Sequence, residues 1–212
     1  MKVYDLTHTI SPDMPVYPGT EPPTLTTANT IECDEFKETL LSMYSHTGTH
    51  IDPPAHIAPD GKTLDAFPPE QFIGTALVID CTAIGDGNLI TLDTLAPYGE
   101  DITKADFLLF HTGYDKHWGT DAYFGNFPCI DMDVLDLILR GNYKGIGFDC
   151  ISLDPMGSLD RHRLLFQQKD IINIENLKDL GTLPRGLFMF SCLPIKVENS
   201  DGAPARAIAW KM

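Results

Sequence analysis

The chain has 212 residues, 43% apolar and 21% charged, which suits one sizeable hydrophobic core in an ordinary globular protein. Its 30 acidic against 15 basic residues give a net charge of −15, which repels phosphate backbones and anionic lipid and argues against nucleic-acid or membrane-surface roles. No run approaches the ~18–20 continuous apolar residues of a membrane span, and the opening MKVYDLTHTI has neither the apolar stretch nor the cleavage site of a signal peptide.

Residues 2–7 alternate in polarity and read as the first strand. Residues 11–23 (SPDMPVYPGTEPP) form a long proline-rich loop, with Val16 and Tyr17 expected to pack it down. Further strands are expected at 24–30, 36–45, 75–82, 107–111, 145–151, 171–174, 187–192 and 205–210. ALVID, FLLF and GLFMF are near-continuous apolar runs, the pattern of central strands covered on both faces. Residues 133–140 carry Val134, Leu135, Ile138 and Leu139 at helical spacing, with Asp131 as N-cap and Gly141-Asn142 to close the helix. A second, shorter helix is expected at 161–168. The sum is one α/β domain over residues 1–212 with a mixed sheet. The five cysteines (Cys33, Cys81, Cys129, Cys150, Cys192) are odd in number and scattered, mostly in apolar runs; they read as free thiols in a reducing compartment, the cytoplasm.

Residues 45–56, SHTGTHIDPPAH, concentrate three of the seven histidines and an aspartate as His-x3-His-x-Asp-x3-His. Imidazole and carboxylate are ligand types for zinc, manganese or iron. Two histidines four apart reach one ion only if the chain bends, since a straight strand would separate them by roughly 13 Å; Gly48 permits the bend. Pro53-Pro54 then extends the chain and is expected to carry His56 away from His46 and His50. A nitrogen-and-oxygen set without cysteine suits a catalytic ion with open positions better than a closed structural site. His8 and His117 read as ordinary packing or surface residues; His111, after an apolar strand, could equally line a pocket. Nucleophile elbows, Walker loops and dinucleotide fingerprints do not occur.

HTGTHIDPPAH resembles the His-x-Gly-Thr-His-x-Asp-x-Pro-x-His signature of the metal-dependent cyclase family, which includes bacterial kynurenine formamidases. MPVYPG, FHTGYDKHWGTDAYFGNFPCID, GIGFDCISLDP and LPIKVENSDGAPARAIAW resemble the family's other segments, so the likeness spans essentially the whole chain. The resemblance implies a swivelling β/β/α domain assembled as a homo-oligomer, a dimer or tetramer. It also implies a divalent metal, zinc or manganese, one or two ions per chain, held by His46, His50 and Asp52, with His56 as the acid–base residue. His162 and Glu175 would complete a second position that Asp52 bridges, although the family spacing between these two is one residue shorter. Read on their own, His162 in RHR could be a solvated helix start and Glu175 an ordinary strand-end carboxylate.

The implied reaction is hydrolysis of a C–N amide bond in a small molecule such as N-formylkynurenine. The ion activates water and polarises the carbonyl, and His56 moves the proton. Tyr17, Trp118 and Tyr123 are candidate stacking surfaces for an aromatic substrate. Two alternatives stand beside this reading: a lactam or lactone hydrolase, cyclase or dehydratase of the same family, and a non-catalytic metal- or small-molecule-binding module.

Overall fold

The computed structural model describes residues 1–211. Among these the strands are β1 (Val3–Asp5), β2 (Thr24–Asn29), β3 (Glu38–Ser42), β4 (His50–Asp52), β5 (Ile73–Asp80), β6 (Leu89–Ile90), β7 (Phe107–His111), β8 (Cys129–Ile130), β9 (Gly145–Phe148), β10 (Ile172–Glu175), β11 (Phe188–Pro194) and β12 (Ala203–Trp210). The helices are α1 (Ile31–Asp34), α2 (Leu92–Leu95), α3 (Asp101–Lys104), α4 (Met132–Arg140) and α5 (Asp160–Gln168).

Eight strands make one mixed sheet in the order β1-β12-β11-β5-β7-β9-β10-β4. β5, β7, β9 and β10 are parallel neighbours, and the other pairings are antiparallel. β4 also pairs with β12, placing Ala203 opposite Ile51, so the sheet closes on itself as a barrel. The two-residue period of a strand then sorts side chains into two cores. Phe107 and Leu109 of β7, Phe188 and Phe190 of β11, and Ala203, Ala205, Ala207 and Ala209 of β12 fill the barrel. Leu108 and Phe110 point the other way, with Ile146 and Phe148 of β9, onto Val134, Leu135 and Ile138 of α4 and Leu165 and Phe166 of α5. The barrel is tight: a Cβ on Gly145 would lie 2.8 Å from Ile172 and 2.9 Å from the Phe107 ring.

The expected strands and both longer helices form, and Asp131 caps α4 by accepting from Val134 N at 2.8 Å. Three expectations shift. β9 stops at Phe148, because the next residue turns its carboxylate onto the backbone N–H groups of Thr112 and Gly113. The proline-rich loop is pinned by buried Met14, whereas Tyr17 is 44% exposed. Residues 36–45 yield only β3, which pairs with β2 in a hairpin separate from the barrel.

Candidate active site

β4 lies inside the histidine window, flanked by two bends. Gly48 has a φ of +65°, a left-handed conformation suited to glycine, and it turns the chain so that the His46 and His50 rings meet at 5.1 Å between centroids. In β4 the odd and even positions separate: Ile51 enters the barrel, while His50 and Asp52 face outward and stay buried. His46 Nδ1 lies 2.7 Å and His50 Nε2 3.2 Å from the same Asp52 oxygen, Oδ1.

His56 departs from the sequence expectation. Pro53 is extended, but Pro54 opens a 3₁₀ turn over Pro54–His56, for which its fixed φ is pre-set. The turn folds His56 back instead of carrying it off, and its ring lies 4.1 Å from that of His46 and 6.0 Å from that of His162.

β10 supplies the facing wall. It is antiparallel to β4, with Glu175 opposite His50 and Asn173 opposite Asp52, so these four side chains share one face while Ile174 and Ile172 enter the barrel. His162, on the buried side of α5, brings Nε2 within 3.3 Å of Glu175 Oε1 and 3.6 Å of Asp52 Oδ2. Residues more than a hundred positions apart thus form two donor groups around one carboxylate: Oδ1 faces His46 and His50, and Oδ2 faces His162.

Supporting residues that sequence reasoning missed fix these rings. Asp154 Oδ2 lies 2.8 Å from His162 Nδ1; its two oxygens also accept the N–H groups of Arg161 and His162, which caps α5. His50 Nδ1 lies 2.8 Å from the Gly48 carbonyl, which also accepts from Asn176 Nδ2 at 2.8 Å. Asn176 itself accepts from the fully buried Tyr123 hydroxyl at 2.6 Å. These partners leave each Nε2 aimed at the carboxylates. The only sequence signal for Asn173 and Asp154 was a polar side chain inside an otherwise apolar run.

The site floors a cavity of about 570 Å³ walled by Val16, Tyr17, Tyr44, Ile57, Ile151 and Leu159 among others, with Asp201 at the rim. Tyr17 lines it, as expected for a stacking surface. Trp118 does not: its ring stacks on His8 at 3.7 Å and meets Tyr123 edge-on, and Tyr123 is buried in the core below. His111 sits apart, between Asp80 and Asp149.

The donors fit a divalent cation. His46, His50 and Asp52 offer ligand atoms within 4.8 Å of one another, as do Asp52, His162 and Glu175, and also His46, His56 and Asp201; His46 Nε2 is buried without a hydrogen bond, 3.5 Å from Asp201 Oδ2. The electrostatics also favour positive charge. Burial opposes charging His50, yet Asp52 and Glu175 hold its pKa up at about 9. His162 is likewise raised against burial, by Asp154, Asp52 and Glu175, while Asp52 is held well below the usual carboxylate range by His50 and its other imidazole neighbours despite its burial. Burial lowers the pKa of His56, so that ring is neutral near pH 7.

Closed barrel, helical outer layer and this donor set fit a metal-dependent enzyme, and the chain's relatives make it a hydrolase. The chain belongs to the cyclase family: residues 4–155 match the family model described as "Putative cyclase". It is 30% identical to a kynurenine formamidase of Salinibacter ruber, over 98% of this chain and 97% of that protein. A solved structure of a "potential metal-dependent hydrolase with cyclase activity" is 31% identical, with a TM-score of 0.81 over 98% of this chain and 96% of that one. Isatin hydrolase A from Ralstonia solanacearum is 25% identical, with a TM-score of 0.88 over 100% of this chain and 92% of its own.

Proposed function

We propose that this protein hydrolyses the C–N bond of an aryl formamide, with N-formylkynurenine the first substrate to test, releasing formate and the aryl amine. The observation that carries the reading is a fourth imidazole, His56, beside the His46–His50–Asp52 group at the floor of a partly apolar cavity. Likeness to kynurenine formamidases supports the choice of substrate. A zinc or manganese ion held by His46, His50 and Asp52 would lower the pKa of water towards about 7 and polarise the scissile carbonyl. His162 and Glu175 belong to the second donor group around Asp52. His56, neutral and within reach of the same space, takes the proton from the attacking water and returns it to the departing amine nitrogen as the C–N bond breaks. Tyr17 and Leu159, which line the cavity, would give the aromatic ring of the substrate apolar contact.

A second reading is favoured by the fold's likeness to isatin hydrolase A: opening of a cyclic aryl lactam, in which both products of cleavage stay on one molecule. Assembly belongs to the proposal too. The β2–β3 hairpin exposes Leu25, Leu40 and Leu41, with Ile31 and Phe36 at its tip, and a homo-oligomer would cover them. The compartment is reducing, the cytoplasm, in keeping with five unpaired cysteines.

The test joins turnover to metal content. Protein purified without chelator should carry a divalent ion and hydrolyse N-formylkynurenine faster than isatin; the reverse order selects the second reading, and turnover of neither removes both. His56→Ala should keep its metal and lose roughly two to four orders of magnitude in turnover. His50→Ala should lose metal and turnover together. If His56→Ala empties the site as thoroughly as His50→Ala, His56 is a ligand and the assigned proton path is wrong.

A further inference from the structure

We infer that Asn173 fills the second donor group with its side-chain amide, so that this chain holds a single divalent ion, at His46, His50 and Asp52. The inference rests on the metal-dependent reading above. Asn173 Nδ2 lies 3.0 Å from Asp52 Oδ2, 2.9 Å from Glu175 Oε1 and 3.5 Å from His162 Nε2. Those three atoms come from the three residues of the second group, so the amide nitrogen takes up the carboxylate oxygens that a shared cation there would need.

Charge sets the orientation of that amide. Its –NH₂ has two hydrogens, one for each carboxylate oxygen; turning it over would set Oδ1 against two anions. The orientation leaves Oδ1 fully buried without a partner, a cost accepted only where the opposite end gains two charge-assisted bonds. Glu175 Oε1 is further occupied by the Leu153 N–H at 2.9 Å, so a cation there would have to displace two donors. Backbone register holds Asn173 in place, since it sits directly opposite Asp52 across the β4–β10 ladder. The first group has no such intruder: imidazole nitrogens approach Asp52 Oδ1, and His46 Nε2 makes no hydrogen bond, with Asp201 Oδ2 3.5 Å away. Asn173 is therefore a positioning residue. It takes up Asp52 Oδ2 and leaves Oδ1 turned towards the single ion.

The full-length protein loaded with Mn²⁺ and freed of loosely held ion tests this by elemental analysis and electron paramagnetic resonance. The wild type should hold about one equivalent with the spectrum of a magnetically isolated ion, and Asn173→Ala should bind a second ion at least tenfold more tightly than the wild type does, with a spin-coupled spectrum. A wild type holding two tightly bound, coupled ions overturns the inference and leaves the metal-dependent reading intact. A wild type that binds none overturns both. If Asn173→Ala does not fold, the wild-type stoichiometry and spectrum decide the matter alone; if it folds and still holds one ion, the amide is not what excludes the second.

Discussion

His8 ties acid stability to one ring outside the site. Its imidazole lies flat on Trp118 and buries Nε2 without a partner. Burial and the Lys178 ammonium lower its pKa to about 4, against the weaker pull of Asp115. The folded chain thus keeps the ring neutral down to about 4, whereas the unfolded ring protonates near its ordinary 6.5. Between those values the unfolded state binds the extra proton, so this contribution is full above pH 6.5 and is lost as pH falls towards 4. His8→Phe, which keeps the stack, should flatten the denaturation midpoint over that window by about 1–2 kcal/mol at its acid end; a midpoint that falls as steeply in the variant would remove His8 as the cause. At this scale the sequence was readable where chemistry was dense. His46, His50, Asp52 and His56 announced themselves by spacing, whereas His162 and Glu175 emerged only through family resemblance. Asp154, Asn173 and Asn176 act through the rings and carboxylates of other residues, and a polar side chain among apolar ones is too weak a signal to mark them.

β4 is three residues long, yet it joins both ends of the sheet and carries two of the donors. It was not readable as a strand because its outward positions are His50 and Asp52, which break the apolar pattern that revealed β5, β7 and β11. Closure at β4–β12 matters to the site as well as to the barrel. Gly202 comes just before β12, and a Cβ there would lie 2.5 Å from the His46 ring. The bare backbone at Gly202 is what lets that ring lie back against the closing strand. Gly202→Ala should push the imidazole off its position and weaken metal binding by roughly 10–100-fold, the scale on which misoriented ligands are felt. The metal-free protein should melt close to the wild type, since the strain falls on one partly exposed side chain. A large drop in metal-free stability with unchanged metal affinity would show that Gly202 serves barrel closure instead.

Over the whole molecule, the β2–β3 hairpin is the part the barrel does not explain. Except for Asn29 its strand residues are all exposed, and Leu25 and Leu41 stand side by side on one face as a cross-strand pair. A two-stranded hairpin is marginal alone in water, so an apolar one projecting from the domain calls for a cover. In the proposed homo-oligomer a second copy of the chain would provide it without a dedicated partner, because two-fold symmetry would bring one hairpin face onto its equivalent. The net charge of −15 works against self-association at long range, and apolar burial must outweigh it locally. The base of the hairpin also bears on the site, since Tyr44 and Glu21, which flank its paired strand ends, both line the cavity and are joined by a bond from the Tyr44 hydroxyl to the Glu21 carboxylate. Light scattering on the native protein at micromolar concentration should therefore give a multiple of the chain mass, less readily reached at low salt where charge repulsion is least screened. Leu25→Thr combined with Leu41→Glu should yield the single-chain mass. Its KM should rise more than its kcat falls, because the cavity rim loosens while the donors on β4 and β10 stay in register. A wild type that scatters as a single chain at every salt concentration would remove the assembly and leave the hairpin's apolar face without a role.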